Sequence, residues 1–450
     1  MRQLFHTPEG VRDVYGTECA KKLYLQRKME KIFHAYGYQS IETPTFEFFD
    51  VFGKQVGTTP SRELYKFFDR EGNTLVLRPD FTPSIARAAS MYYHQEDMPI
   101  RLCYSGNTFV NRSSYQGRLK ESTQMGVELL GDASVDGDGE IIAMTVELLK
   151  AAGLKEFQIS IGQVDFFKAL VDDSGMSEET IQELRQLISN KNYFGVEELL
   201  ESQRLSKEQV EALTELPQLF GGPEVLKKAE SLTGNPKALA AIRRLRELYQ
   251  VASCYGCEEY ISFDLGMLSK YQYYTGIIFQ GFTYGTGEPL VTGGRYNRLL
   301  EHFGRPAPAI GFCLVMEQVL NALNRQNIQV PVMEGKRLVL YNERNREAAI
   351  RIAGMQRTHG MQIQCMRMEE GLKAEDYIAY GKGHQFTDIV SPVGEDQIQV
   401  INLFTDEVQM TNSEKFSVGG KTHEIFNHRT DERPSGRENT GDAGSCRHYL

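Results

Sequence analysis

The chain has 450 residues, 41% hydrophobic and 24% charged, the composition of an ordinary soluble globular protein of about two to four domains. Its formal net charge of −10 argues against a nucleic-acid binder unless a local basic groove hides within the acidic total. No apolar run reaches the roughly 18 residues of a membrane span, the opening MRQLFHTPEG lacks the apolar stretch of a signal peptide, and seven scattered cysteines suggest a reducing cytoplasm.

The first predicted element is a helix from Glu18 to Tyr36, with Leu23, Leu25, Met29, Ile32 and Phe33 near helical spacing and Gly37 as its stop. YQSIETPTFE follows as a strand containing Pro44, which places it at an edge or an interface. LYKFFDREGNTLVLRP reads as a hairpin turning at Glu71-Gly72-Asn73. TPSIARAASMYY reads as a helix capped by Thr82 with Pro83 at its first position. IRLCYSGNTF and ESTQMGVELLG are strands, GEIIAMTVELLKAAGL an amphipathic helix, and EFQISIGQ a further strand.

From Met176 to about Gln250 the pattern turns helical. Ile181, Leu184, Leu187 and Ile188 share one face, Ser206 with Gln209 forms a capping box, and Gly221-Gly222-Pro223 and Gly234-Asn235-Pro236 are breaks. Strands resume at EEYISFDLG, YYTGIIFQGFTY and AIGFCLVMEQVLNAL. The lone Cys254-Tyr-Gly-Cys257 has no second pair or spaced histidines, so packing near a turn is its default reading and no metal site is expected. A third unit begins near Gly335. RLVLY, MQIQCMRM, FTDIVSPVG and QIQVINLF are its strands and NREAAIRIAGMQRTHG its helix, an alternation that indicates a small α/β domain. The polar stretch after about Phe416 reads as a disordered tail.

Four places carry chemistry. In Leu77-Arg78-Pro79-Asp80-Phe81-Thr82-Pro83, Asp80 leaves a strand end beside a helix start, where a carboxylate receives an α-amino group with help from Thr82; a plain turn with a surface aspartate is the alternative. Gln124, Gly126 and Glu128 share one strand face, so a polar ligand, or simply solvent, must lie over it. In Tyr273-Tyr274-Thr275-Gly276, strand alternation sends adjacent tyrosines to opposite faces, so one lines a pocket at most. Thr292-Gly293-Gly294-Arg295-Tyr296 permits close backbone approach, to a ligand or a neighbouring strand.

In this order, these stretches resemble a class II histidyl-tRNA synthetase. IETPTFE is similar to its motif 1, LRPDFTPSIAR to its Arg-Pro-Glu-Gly-Thr segment, and TFVNRSSYQGRLKESTQMGVELLG to its motif 2. YYTGIIF is similar to its second histidine-specific segment, and GGRYNRLL with AIGFCLVMEQV to the approach to motif 3. The resemblance implies an α+β fold: an antiparallel sheet with flanking helices over 1–165 and 251–328, a helical insertion at 166–250, an anticodon-binding-like α/β domain at 335–412, and a tail at 417–450.

The departures are as informative as the matches. Where the synthetase carries arginine after the motif 2 phenylalanine, at its catalytic segment, and at the end of motif 3, this chain has Val110, Ser269 and Gln318. Arg112 lies two residues past Val110, and a slipped loop could present it instead. The histidine-side residues implied by the resemblance persist: Asp80, Thr82, Gln124, Glu128, Tyr273 and Tyr274. That combination resembles the regulatory subunits of ATP phosphoribosyltransferase. It implies a non-catalytic chain without a cofactor, a short-form catalytic subunit as partner, histidine as effector, and a homodimer within a heteromultimer, and it argues against tRNA binding. The alternative is an active histidyl-tRNA synthetase.

Overall fold

A computed structural model describes residues 5–53, 59–94, 98–112, 119–172, 174–268, 273–332, 336–394 and 397–412. The chain divides into two units, Met1–Val330 and Pro331–Leu450.

The larger unit starts with helix α1 (Gly16–Ala35), which buries Leu25, Met29 and Phe33 at four-residue intervals. Gly37 follows at φ +82°, a conformation glycine adopts without steric cost. The expected continuous strand over 38–47 is broken in two, β1 (Gln39–Ser40) and β2 (Phe46–Phe48), with Pro44 exposed between them. Proline has no N–H for a ladder, so the two pieces join different sheets. Strand β2 pairs with β4 (Thr74–Leu77), which also pairs with β3 (Lys66–Phe68), all antiparallel. The β3–β4 turn forms where predicted: Asp69 Oδ1 accepts from Asn73 N at 2.7 Å and Gly72 takes φ +85°.

Helix α2 (Thr82–Tyr92) departs from expectation at its start. Its N-cap is Phe81 and no side chain caps it; Thr82 lies inside the helix, with its hydroxyl committed elsewhere. Strands β5 (Ile100–Phe109) and β6 (Glu121–Leu130) pair along their full length. Helix α3 (Val135–Ala152) is capped by Ser134, whose Oγ accepts from Gly137 N at 3.0 Å, and it is buried on most sides instead of amphipathic. Strand β7 (Phe157–Gln163) runs directly into α4 (Val164–Val171).

Four helices follow, α5 (Glu178–Ser189), α6 (Tyr193–Glu201), α7 (Lys207–Glu215) and α8 (Glu224–Ser231), with the short strand β8 (Phe220–Gly221) before the last. Ser206 and Gln209 form the predicted capping box of α7. Helix α9 (Pro236–Cys254), capped by Asn235, packs against α3 and α4. Val251 lies where a side chain at Gly139 would go, so glycine there brings the two helices together. Strands β9 (Ile261–Asp264), β10 (Ile277–Thr283), β11 (Val291–Arg295) and β12 (Ala309–Val315), then helix α10 (Met316–Arg325), complete the unit.

The main sheet has the order β1-β5-β6-β12-β11-β10-β7-β9-β8. It is antiparallel except for β1 with β5 and β7 with β9. A core of Phe81, Ile85, Leu102, Tyr104, Leu130, Ile278 and Leu300 packs beneath the site described below.

The smaller unit contains β13 (Arg337–Tyr341), α11 (Arg346–Thr358), β14 (Ile363–Arg367), α12 (Ala374–Gly383), β15 (Asp388–Pro392), β16 (Gln397–Asn402) and β17 (Val408–Asn412). Its sheet order is β14-β13-β15-β16-β17, with β13 parallel to both neighbours. Two apolar clusters occupy opposite sheet faces, one around Val339, Ile352 and Val400 and one around Leu338, Tyr377 and Phe386. Between them Arg337 Nε bonds Asp388 Oδ2 at 3.1 Å, both side chains fully buried. Helix α12 and strand β17 were not anticipated from sequence, and the tail beyond residue 412 lies outside the described residues.

Candidate functional site

A cavity of about 2060 Å³ opens over the middle of the main sheet. Asp80, Thr82, Gln124, Glu128, Tyr273 and Tyr274 all line it, and so do Val110 and Gln318. Ser269, the ninth position singled out, lies outside the described residues.

Glu128 sits at its floor, 1% exposed. Thr82 donates its hydroxyl to Glu128 Oε1 at 2.7 Å, which is why it does not cap α2. Tyr296 donates to the other oxygen, Oε2. Burial pushes the Glu128 carboxyl up to about 8; the hydroxyl bonds from Tyr296 and Thr82 hold it down in part, and the charge of nearby Asp80 raises it. Asp80 is likewise raised by desolvation, countered by the backbone N–H groups of Thr82 and Phe81. Thr82 N reaches Asp80 Oδ1 at 3.3 Å.

Glycines make room for this floor. Gly311 faces Glu128 across the β6–β12 ladder, and a Cβ there would lie 1.9 Å from Glu128 Oε2. A Cβ at Gly126 would meet the Tyr104 hydroxyl at 2.5 Å and the Phe312 carbonyl oxygen at 2.1 Å. Gly293 and Gly294 clear space for the rings of Phe279 and Tyr274. Gln124 lines the cavity two positions beyond Gly126 along β6, and its Oε1 has no hydrogen-bond partner among the described residues.

The two adjacent tyrosines do not diverge as alternation predicted. Residues 273–276 precede β10 and are not extended strand. Thr275 ties the segment to the end of β11, its N–H donating to Arg295 O at 2.8 Å and its hydroxyl accepting from Asn297 N at 2.8 Å. The Tyr273 and Tyr274 rings therefore lie 4.6 Å apart, and Tyr273 meets Tyr296 edge-on at 5.8 Å. Behind them Arg78 stacks 4.1 Å over Phe81, which stacks 4.4 Å from Tyr104. The Arg78 guanidinium is spent on the carbonyls of Asn107 and Thr43, at 2.8 Å each, and so braces the wall.

The other end of the cavity is different in kind. Val110 presents an isopropyl group. Gln318 donates its amide to Glu288 Oε2 at 3.0 Å. Glu317 accepts from Thr123 N at 2.9 Å and from Lys22 at 3.0 Å, which anchors α10 to β6 and α1. Arg112 lines the cavity, as the sequence left open. Arg295, from the Gly-Gly-Arg-Tyr stretch, faces away: it is 2% exposed and clamps Asp138, which Arg244 of α9 holds from the other side at 2.8 Å.

Tyr296, Tyr104, Gly311 and Cys313 were missed as site residues. Tyr296 belongs to the Gly-Gly-Arg-Tyr stretch, but only the pairing of β11 with β12 and of β12 with β6 brings it to Glu128. Among the described residues no cluster of potential metal ligands occurs, and no helix is long and apolar enough to cross a membrane. Cys257 is buried just past α9 with its thiol against Ala252 O, and Cys254, the last residue of α9, is exposed.

A family model described as histidyl-tRNA synthetase matches residues 10–319. The chain is 39% identical over 404 residues to the ATP phosphoribosyltransferase regulatory subunit of Acetivibrio thermocellus, covering 90% of this chain and 96% of that one. It is 41% identical over 382 residues to the protein of the same name from Ruminiclostridium cellulolyticum, covering 85% and 91%. Among solved structures it is similar to an ATP phosphoribosyltransferase regulatory subunit/histidyl-tRNA synthetase from Bacillus halodurans C, with TM-score 0.77, 33% identity, and 87% and 99% of the two chains covered.

Proposed function

The chain belongs to the ATP phosphoribosyltransferase regulatory subunits, which carry a histidyl-tRNA synthetase-like class II fold, and on that premise we propose that its cavity senses histidine and no longer activates it. On this reading the chain works in histidine biosynthesis, as the partner of a catalytic subunit of the short form that performs the first step. Histidine acts on that complex as the feedback effector.

One observation carries the reading: two desolvated carboxyls and an unpartnered amide oxygen line one cavity. A buried acceptor left unsatisfied costs roughly 1–3 kcal/mol, so a ligand rich in N–H donors gains by entering. Histidine offers an α-ammonium group and an imidazole N–H. Asp80 takes the ammonium, with Thr82 and Gln124 ordering the amino-acid backbone. Glu128 accepts the ring N–H, and the Tyr273 and Tyr274 rings close the other side.

Activation chemistry would fail here for want of positive charge. A developing phosphate charge needs preorganised cations, and removing one such donor typically costs about 10²–10³ in rate. Val110 offers hydrocarbon at one expected position, and at another Gln318 offers a neutral amide already bound to Glu288. The sequence puts Ser269 at the third.

Assembly follows from the three-stranded sheet. Phe46, Phe48 and Phe67 are 52%, 56% and 37% exposed, and edge strand β2 carries two of them. An apolar edge of this kind calls for a covering partner, and a second copy related by a two-fold axis supplies one. Two measurements test the whole reading. Calorimetry with the full chain should show histidine binding at the cavity, and the chain combined with a short-form catalytic subunit should support phosphoribosyl transfer that histidine inhibits. Histidine-dependent ATP–pyrophosphate exchange by the chain alone would instead favour a working synthetase.

A further inference from the structure

We propose that Tyr296 is a positioning residue of the ligand pocket: its hydroxyl holds the Glu128 carboxyl in place and keeps it an acceptor for the ligand's ring N–H. The inference rests on the histidine-sensing reading and deepens it.

The geometry is fixed from both sides. The Glu128 carboxyl lies against bare backbone at Gly311, where no side chain could fit. Its two oxygens are held by two hydroxyls from separate elements, Thr82 in α2 and Tyr296 just past β11. Tyr296 is itself enclosed. It is 2% exposed, its N–H donates to Ala309 O at 2.8 Å, and its ring packs edge-on against Tyr273. A phenol in this place has few other orientations available.

The choice of a hydroxyl has chemical meaning. An arginine or lysine would also orient a carboxylate, but it would cancel the charge and fill the lone pairs that a ligand needs. A neutral donor orients the group and leaves it an acceptor. The titratable groups that act on Glu128 are Asp80, ahead of α2, Tyr104 from β5, Cys313 from β12, Tyr296 and, more remotely, Tyr38; Tyr274 faces Tyr296. None of them is a base that could supply positive charge. Tyr296 and Thr82 are therefore what counters burial, and the bond from Tyr296 is the larger of the two in lowering the Glu128 carboxyl.

The test is calorimetric titration of histidine into the full chain from pH 6.5 to 8.5. The wild type is expected to bind more tightly as pH rises through the Glu128 transition. Tyr296→Phe should weaken binding about 10-fold near pH 7.5 and displace the transition to higher pH. Glu128→Gln should flatten the profile, and Tyr296→Phe added to it should cause no further displacement. Should Tyr296→Phe fail to fold, 3-fluorotyrosine at position 296 keeps the shape and strengthens the donor, so the transition should move to lower pH. A role confined to packing would leave the transition where it is. Wild-type binding with a transition unmoved by either replacement overturns this inference and leaves the sensing reading intact. A wild type that binds no histidine overturns the sensing reading itself.

Discussion

Gly311 and Glu128 are register partners on β12 and β6, and the glutamate carboxyl occupies the space a Gly311 side chain would need, with Oε2 1.9 Å from the ideal Cβ position. The acidic floor of the cavity therefore depends on a hydrogen atom in the neighbouring strand. Gly311→Ala is expected to displace the carboxyl and abolish histidine binding in calorimetry. Overpacking of this kind should also cost about 1–3 kcal/mol of stability, seen as a lower Tm.

Glu128 should make the fold weaker in alkali. Its ordinary value is 4.5, and in the folded chain it is pushed up to about 8. Below pH 4.5 both states hold the proton and no penalty exists. Between 4.5 and about 8 the folded chain retains a proton that the unfolded chain has released, so stability falls as pH rises, and above 8 the penalty is constant. At about 1.4 kcal/mol per unit the penalty is about 4–5 kcal/mol at most. Glu128→Gln removes it, so the variant should gain in Tm over the wild type progressively from pH 5 to pH 8, while its weakened histidine binding no longer varies with pH over that transition.

Arginine alone should not restore nucleotide chemistry at position 318. Glu288, which now accepts from the Gln318 amide at 3.0 Å, would capture the new guanidinium. Gln318→Arg is expected to remain silent in ATP–pyrophosphate exchange, and Val110→Arg combined with it should improve nucleotide binding before any rate appears.

The Arg337–Asp388 pair offers a stability test independent of the site. Both side chains are fully buried in the smaller unit. Arg337→Met strands a buried carboxylate and should cost about 3–5 kcal/mol, whereas Arg337→Met with Asp388→Leu should recover most of that loss or exceed it. Thermal unfolding of the full chain with a probe in the smaller unit reads both.

The dimer reading has its own variant. Phe48→Glu places a charge on the exposed face of β2 without touching the cavity. It should convert the dimer to monomer at micromolar concentration by light scattering, with histidine binding to the isolated chain preserved.

Local chemistry was readable in the chain where one segment suffices. The Ser206–Gln209 box, the turn at Glu71-Gly72-Asn73 and the paired strands of 100–130 depend on neighbours in sequence. What failed depended on partners far away. Thr82 looked like a cap because threonine before proline commonly is one; its hydroxyl instead serves Glu128, 46 residues later. Tyr273 and Tyr274 were assigned strand alternation because nothing nearby shows that Thr275 is pinned to Arg295 and Asn297. Tyr296 and Gly311 emerge only once β6, β12 and β11 lie side by side, an arrangement no short window contains.

The glycines at 126, 293, 294 and 311 have a genetic consequence. Any missense change at one of these codons adds a side chain, and in the sheet floor every side chain collides with a ring, a carboxyl or a carbonyl oxygen. On the sensing reading, a single base substitution at any of four places is expected to erase effector binding. Strains selected for growth on a toxic histidine analogue are expected to carry their feedback-resistant alleles at these codons, and sequencing such a collection would show whether resistance concentrates there.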